Sequence, residues 1–216
     1  MKLVLKDGIQ LWFSSDSHFG HSNICEGTTN WVGENTSRSF LTLDEMNDTI
    51  VNNINDHIAE DDILVHLGDW SFGGYDNIQQ FRDRIVCKNV HLVLGNHDHH
   101  IERNKGGIQS IFSSVQNYLY LDVRVYPTKN TAIKHRFICF HYPIASWQAM
   151  EDRSIHLHGH THLPKHLKVG QGKSLDVGMD GNDLMPYSLD DVIDLVKDQP
   201  IKKLILPHDH HEREYI

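Results

Sequence analysis

The sequence predicts an α/β fold built on two β-sheets, and three observations carry that expectation. In the first half, short apolar runs alternate with amphipathic stretches in a strand, loop, helix rhythm. The second half is dominated by strands, which predicts a second sheet packed on the first. In both halves the strands give way abruptly to clusters of Asp, Asn and His, and polar clusters just past successive strand ends fall together along one sheet edge.

In chain order, "IQLWFSS" (9–15) reads as a buried strand that runs into "DSHFGH". "TLDEMNDTIVNNINDHI" (42–58) sets Leu43, Met46, Ile50, Val51, Ile54 and Ile58 at helical spacing, with Thr42 as N-cap and Glu45 three positions on. "DILVHL" (62–67) is a second strand ending at "GDWSFGG", "YDNIQQFRDRI" (75–85) a second helix, and "NVHLVL" (89–94) a third strand followed by "GNHDHH". Beyond these, "YLYLDVRV" (118–125), "TAIKHRFICF" (131–140), "SIHLHG" (154–159) and "KSLDVGM" (173–179) read as strands, and "SLDDVIDLVK" (188–197) as a helix. Two of these strands again run into histidine, at "HYP" and "HGHTH".

Composition narrows the function classes. The 216 residues suit one domain over 1–216, with a core at about 9–195 and a C-terminal extension over 200–216. Apolar residues make up 39% and charged residues 23%, as in a globular protein. A formal charge of -9 argues against an extensive nucleic-acid surface. Histidine numbers 18 against three cysteines, so nitrogen and oxygen chemistry is favoured over sulfur. Cys25, Cys87 and Cys139 are odd in number and widely spaced, which suits a reducing compartment and no disulfide framework. No apolar run has the length of a signal peptide or a membrane span, so the expectation is a cytoplasmic protein without a membrane partner. The open edges of two sheets permit a homodimer.

The strand-end residues are Asp16 and His18; Asp69; Asn96, His97 and Asp98; His141; and His160 and His162. Carboxylate, imidazole and amide oxygen are ligands that divalent first-row metals accept. One ion of four to six ligands cannot use them all, whereas two can if a carboxylate bridges them. Two dipositive ions about 3.5 Å apart repel by roughly 19 kcal/mol at an effective dielectric of 20, so acidic ligands and a bridge are needed.

The ordered motifs "DSH" (16–18), "GD" (68–69), "GNHD" (95–98), "H" (141) and "GHTH" (159–162) resemble the calcineurin-like metallophosphoesterase superfamily. The surrounding "SDSHFGHSNI", "GDWSFGG" and "HYPIASW" look like its small bacterial and phage branch. The resemblance covers about residues 9–195. It implies a four-layer α/β/β/α sandwich of two mixed sheets flanked by helices, with a dinuclear metal site at the strand C-terminal ends. It further implies one metal at Asp16, His18 and His162, another at Asn96, His141 and His160, and Asp69 between them. Family members use manganese, iron, zinc or nickel, and this sequence does not choose. His97 would assist the leaving group and Asp98 would orient the His97 ring. The implied reaction is hydrolysis of a small phosphoester, such as a nucleotide or cyclic nucleotide, by in-line attack of a metal-bridging hydroxide. Mono- and diester remain alternatives.

Other residues carry two readings each. His21 and Arg38 could contact a substrate phosphate or serve as loop residues. His99 and His100 read as exposed loop positions. His156 and His158 share parity with His160 and read as support rather than ligands. Trp147 and Tyr142 form a pocket wall or pack. Asp176 and Asp180 support ligands or shape turns. The tail "HDHHEREY" reads as a polar terminus. "GDWSFGG" lacks the arginine of the superfamily's protein phosphatases, which argues against phosphoprotein substrates. A catalytically silent scaffold with this fold, binding a protein partner, is the alternative function, and a metal-storage protein a third; the filled motif positions favour the enzyme.

Overall fold

A computed structural model describes residues 1–31, 37–104, 107–128 and 131–201. Its main elements are β1 (Lys2–Val4), β2 (Leu11–Ser14), α1 (Leu43–His57), β3 (Ile63–His66), α2 (Tyr75–Arg84), β4 (Asn89–Val93) and α3 (His99–Arg103). These are followed by β5 (Ser114–Gln116), β6 (Leu119–Thr128), β7 (Thr131–Cys139), β8 (Ile155–His158), β9 (Ser174–Asp176), β10 (Tyr187–Ser188) and α4 (Leu189–Val196). The tail "HDHHEREY" lies outside the described residues, as does the C-terminal extension over 200–216 apart from its first two positions.

The strands form two mixed five-stranded sheets. The first has the order β10-β2-β3-β4-β5, with only β10 antiparallel to its neighbour. The second has the order β1-β6-β7-β8-β9, with only β6 and β7 antiparallel. Because β2, β3 and β4 are parallel, their C-terminal ends lie along one edge, and β7 and β8 do the same in the other sheet. That topology positions the site.

Strand alternation sorts the side chains into separate cores. From the first sheet, Trp12, Leu64, Val90 and Leu92 face α1 and α2, where Met46, Ile50, Ile54, Ile78 and Phe81 meet them. Leu11, Phe13, Val65, Leu67 and Val93 point the other way and pack on Leu121, Val123, Phe137, Leu157 and Leu175 of the second sheet. Each fully buried aliphatic or aromatic side chain contributes roughly 1.5–3 kcal/mol, so these layers dominate the stability. Thr42 caps α1, accepting a hydrogen bond from the Glu45 amide, and the Glu45 carboxylate reaches back to the Leu41 amide. Ser188 and Asp191 form the reciprocal box at α4.

Helices flank the sheets unevenly, which modifies the expected four-layer sandwich. The outer face of the second sheet carries no full helix among the described residues; Ile138 there is covered by Trp147 and Met150 from the segment after β7. Trp147 therefore packs, its indole donating to the Ser154 carbonyl. α4 lies along β9, β10 and β2 and inserts Leu189, Val192 and Val196 into the inter-sheet core. No helix among the described residues is long and apolar enough to cross a membrane, and the three cysteines are free and buried.

Candidate metal centre

The polypeptide turns sharply just after β2, β3 and β8, and the turns present the polar clusters. Asp16, His18, Asp69, His160 and His162 all adopt the left-handed backbone region, with φ of 58°, 51°, 55°, 68° and 48°. Non-glycine residues persist there only where surrounding contacts enforce the conformation, and such strain gathers at functional sites.

Backbone bonds draw the turns together across both sheets. The Asp16 amide donates to the Gly68 carbonyl at 2.9 Å and the His18 amide to the Asp69 carbonyl at 3.0 Å. From the second sheet, the His160 amide donates to Asp16 Oδ2 at 2.9 Å and His141 Nδ1 to the Leu67 carbonyl at 2.7 Å. Gly159 makes this approach possible, because a Cβ there would fall on Ser15 Oγ and Asp16 Oδ2.

Two groups of ligand atoms result. In one, His18 Nε2 and His162 Nε2 face each other at 3.2 Å, and Asp16 Oδ1 lies 3.6 and 3.7 Å from them. Asp16 Oδ1 is buried without a hydrogen-bond partner among the described residues. In the other, His141 Nε2 lies 3.0 Å from Asn96 Oδ1 and 3.5 Å from Asp69 Oδ2. The Leu67 carbonyl takes the proton on His141 Nδ1, so Nε2 presents a lone pair to two further acceptors. Three acceptors converging without a donor suit a cation. His160 Nδ1 joins this group, 3.0 Å from the same Asn96 oxygen. Asp69 Oδ2 stands between the groups, 3.7 Å from His18 Nε2 and 3.5 Å from His141 Nε2.

Asp16, His18 and His162, and separately Asp16, Asp69 and His141, bring ligand atoms within 4.8 Å of one another. Asp16, His18, Asp69 and His141 form a buried floor, while Asn96 and His160 are exposed and His97 and His162 partly so. The structure thus gathers all seven residues expected as ligands around one opening.

Electrostatics fit a positive guest. Burial, with the neighbouring charges of Asp16 and Asp98, pushes the Asp69 carboxyl up to about 7, against the pull of His141 and the His97 amide. Burial holds His18 down at about 4. Burial would raise Asp16, yet the adjacent His18 and His162 imidazoles outweigh it and lower the carboxyl. Two carboxylates sharing a dry site repel, and a cation relieves that repulsion.

Three sequence readings change here. Asp98 does not orient the His97 ring: its carboxylate accepts the amides of Asp69, Trp70 and Gly95 at 2.8–2.9 Å. It fastens the turn after β4 to the turn after β3. His97 is placed instead by its own amide, which donates to Asp69 Oδ1, and by ring contact with Phe72 at 4.7 Å. Its Nε2 lies 4.0 Å from Asp69 Oδ2. Arg38 is buried rather than substrate-facing: the guanidinium grips Asp180 with two bonds of 2.8 and 2.9 Å and donates to the Asp16 and Ser17 carbonyls. Asp180 in turn accepts from His162 Nδ1 at 2.7 Å, leaving Nε2 free to face His18. His156 and His158 do not continue in step to His160, because β8 ends at His158 and the chain then turns left-handed.

The remaining candidates divide by position. His21 stacks on Phe72 at 3.8 Å and meets Trp31 edge-on, which sets it at the rim beside His97. Tyr142 lies against His141 and His160 on the opposite side. Asp176 ties the "GHTH" turn through Thr161 Oγ1, the Leu163 amide and the Gly178 amide. His99 and His100 lie in α3, His99 exposed and His100 against Tyr75. Sequence reasoning passed over Phe72 and the buried His66, whose Nε2 bonds Ser17 Oγ at 2.8 Å beneath the first turn. Only their place beside the motifs signals either.

Comparison with known proteins gives the fold context. No protein-family profile matches the chain. An uncharacterized protein of Methanocaldococcus jannaschii is 25% identical over 202 residues, covering 91% of this chain and 96% of that protein. The gene 66 protein of Mycobacterium phage L5 is 27% identical over 204 residues, covering 86% and 93%. Among solved structures, a protein of unknown function from Aquifex aeolicus superposes with a TM-score of 0.62 at 20% identity, over 88% of this chain and all of that one, so the fold recurs there. The nuclease MPE of Pseudomonas putida aligns over 77% of this chain with a TM-score of 0.38.

Proposed function

We propose that the chain is a metal-dependent phosphoester hydrolase of the calcineurin-like metallophosphoesterase kind, with seats for two divalent cations. The carrying observation is the convergence of ligand atoms of the kind divalent metals accept: Asp16 Oδ1, His18 Nε2 and His162 Nε2 on one side, and Asn96 Oδ1 and His141 Nε2 on the other, with Asp69 Oδ2 between. In this reading Asp16, His18 and His162 hold one cation, Asn96, His141 and His160 hold the other, and Asp69 serves both. Such a pair supplies Lewis acidity, activating water near neutral pH and offsetting phosphate charge.

The chain's own groups supply the rest. The exposed rim of Asn96, His97 and His160 admits a small phosphoester to the buried floor. His97, held by Phe72 and its amide bond to Asp69, points an imidazole nitrogen at the opening, where it donates a hydrogen bond or a proton to the departing oxygen. Arg38 and Asp180 act through His162, fixing its ring for the seat it helps to form. Nothing in this set becomes covalently attached to phosphate.

Metal-reconstituted protein should hydrolyse a para-nitrophenyl phosphate monoester, its bis-diester, or both. Asp69→Ala should lose both cations and all turnover, whereas His97→Ala should keep both cations and lose turnover by about 10²–10⁴. Metal-loaded protein inert on both esters would end the proposal, and a His97 variant of full activity would remove that residue's role.

A further inference from the structure

The outer face of β1, β6 and β7 concentrates positive charge in a protein whose formal charge is -9. Since Leu121 and Val123 point into the inter-sheet core, Asp122 and Arg124 point outward. Strand register then sets Arg124 directly opposite Lys134 and Asp122 opposite Arg136, with Lys2 beside Asp122. Like charges directly opposed across an antiparallel pair destabilise a sheet. Arg136 is balanced by Asp122 at 3.4 Å. Lys2, Arg124 and Lys134 are exposed, and none makes an ion pair among the described residues.

Two adjoining cavities of about 360 Å³ each meet at this face, and Asp122, Lys134 and Arg136 line both; one of them also runs over the sheet edge to an apolar wall of Ile155, Ile193 and Val196 beside α4. Lys2 and Arg124 complete the first. The second continues past the start of β8 to Arg153, which is exposed, and to Lys173. Lys173 is occupied, donating to the last carbonyls of α4, and Lys197 pairs with Asp194, so the cations with no ion pair among the described residues are Lys2, Arg124, Lys134 and Arg153. Asp152 is the other acid of the trough. The face is remote from the metal centre: Lys134 and His141 are separated by seven residues along β7 and its exit, roughly 20 Å of extended chain.

We propose that this trough is a second binding site, taking the phosphate groups of a single nucleic-acid strand. A lone small anion would fill one cavity and leave the other's cations uncompensated. A strand offers successive phosphates that span both, and the opposed pair Arg124 and Lys134 gains what the bare sheet lacks, an anion between them.

The test uses the full chain with a chelator present, so that binding is read without cleavage and independently of the hydrolase proposal. The probe is a fluorescein-labelled 12-nucleotide oligothymidine followed by anisotropy over a salt series. Arg124→Gln/Lys134→Gln should weaken binding at least tenfold and lower the log–log salt slope by about 1.4, two contacts' worth for single strands. The same variant should unfold at a higher urea midpoint than the wild type, which separates lost binding from lost folding. Arg84→Gln/Lys88→Gln, matched in net charge and placed on α2 and just beyond it, should bind as the wild type does. Equal binding by the first variant, equal loss in the control, or displacement by polyglutamate as effective as by unlabelled oligothymidine would each overturn the site.

Discussion

Asp16, His18, Asp69, His160 and His162 share a backbone conformation that L-residues adopt at a cost of about 1–2 kcal/mol each. Glycine would occupy these positions without that cost. The most exposed of the five, His160, gives a direct test: His160→Gly should stabilise the chelated protein by about 1 kcal/mol in urea unfolding while weakening cation binding measured by titration. Unchanged or lower stability would show that the side-chain bond to Asn96 outweighs the backbone cost. At this scale the sequence showed which residue types gather, because carboxylates and imidazoles after apolar runs stand out by chemistry alone. Direction was hidden. Asp98 is adjacent to His97 yet serves backbone amides 28 and 29 residues away, and Arg38 reaches Asp180, 142 residues on. Spacing along a chain says nothing about where a fork or a carboxylate finds its donors.

At the scale of elements, Asp98 is the pin between two turns. Its carboxylate is fully engaged by three amides, and burial raises its pKa although those amides oppose the shift. Asp98→Asn would set an NH₂ group against backbone donors, costing about 2 kcal/mol in unfolding free energy. Because the pinned turns carry Asp69 and Asn96, the same variant should also bind cations more weakly by titration; a variant with wild-type affinity would show that the turns hold without the pin. The longer elements were legible, and α1, α2, β3 and β7 fall within a residue or two of their sequence bounds, since periodicity over ten residues or a continuous apolar run identifies them. The three residues of β1 and of β5 were not, for strands so short have no period to read, and their pairing with β6 and β4 comes from distant chain.

Across the whole molecule, buried neutral histidines make the fold sensitive to acid. His156 donates through Nδ1 to the Ile138 carbonyl and accepts the Ile144 amide on Nε2, so a second proton would set donor against donor. Burial lowers its pKa to about 4 and that of His66 to about 3. Between these values and 6.5 the unfolded chain binds more protons than the native one, so stability is full above pH 6.5 and falls as the solution is acidified. His156 alone accounts for roughly 3 kcal/mol of loss by pH 4. Urea midpoints of the chelated protein should fall from pH 7 to pH 4.5, and His156→Gln should flatten that fall; an unchanged slope would assign the acid sensitivity elsewhere.

The bond from the His160 amide to Asp16 joins positions 144 apart. During synthesis, then, a growing polypeptide emerges with the candidate ligands Asp16, His18, Asp69 and Asn96 before His141, His160 and His162 exist. On the proposed function, capture of ions would belong to the closing stage of maturation, and a bound pair would certify a finished molecule rather than seed an unfinished one.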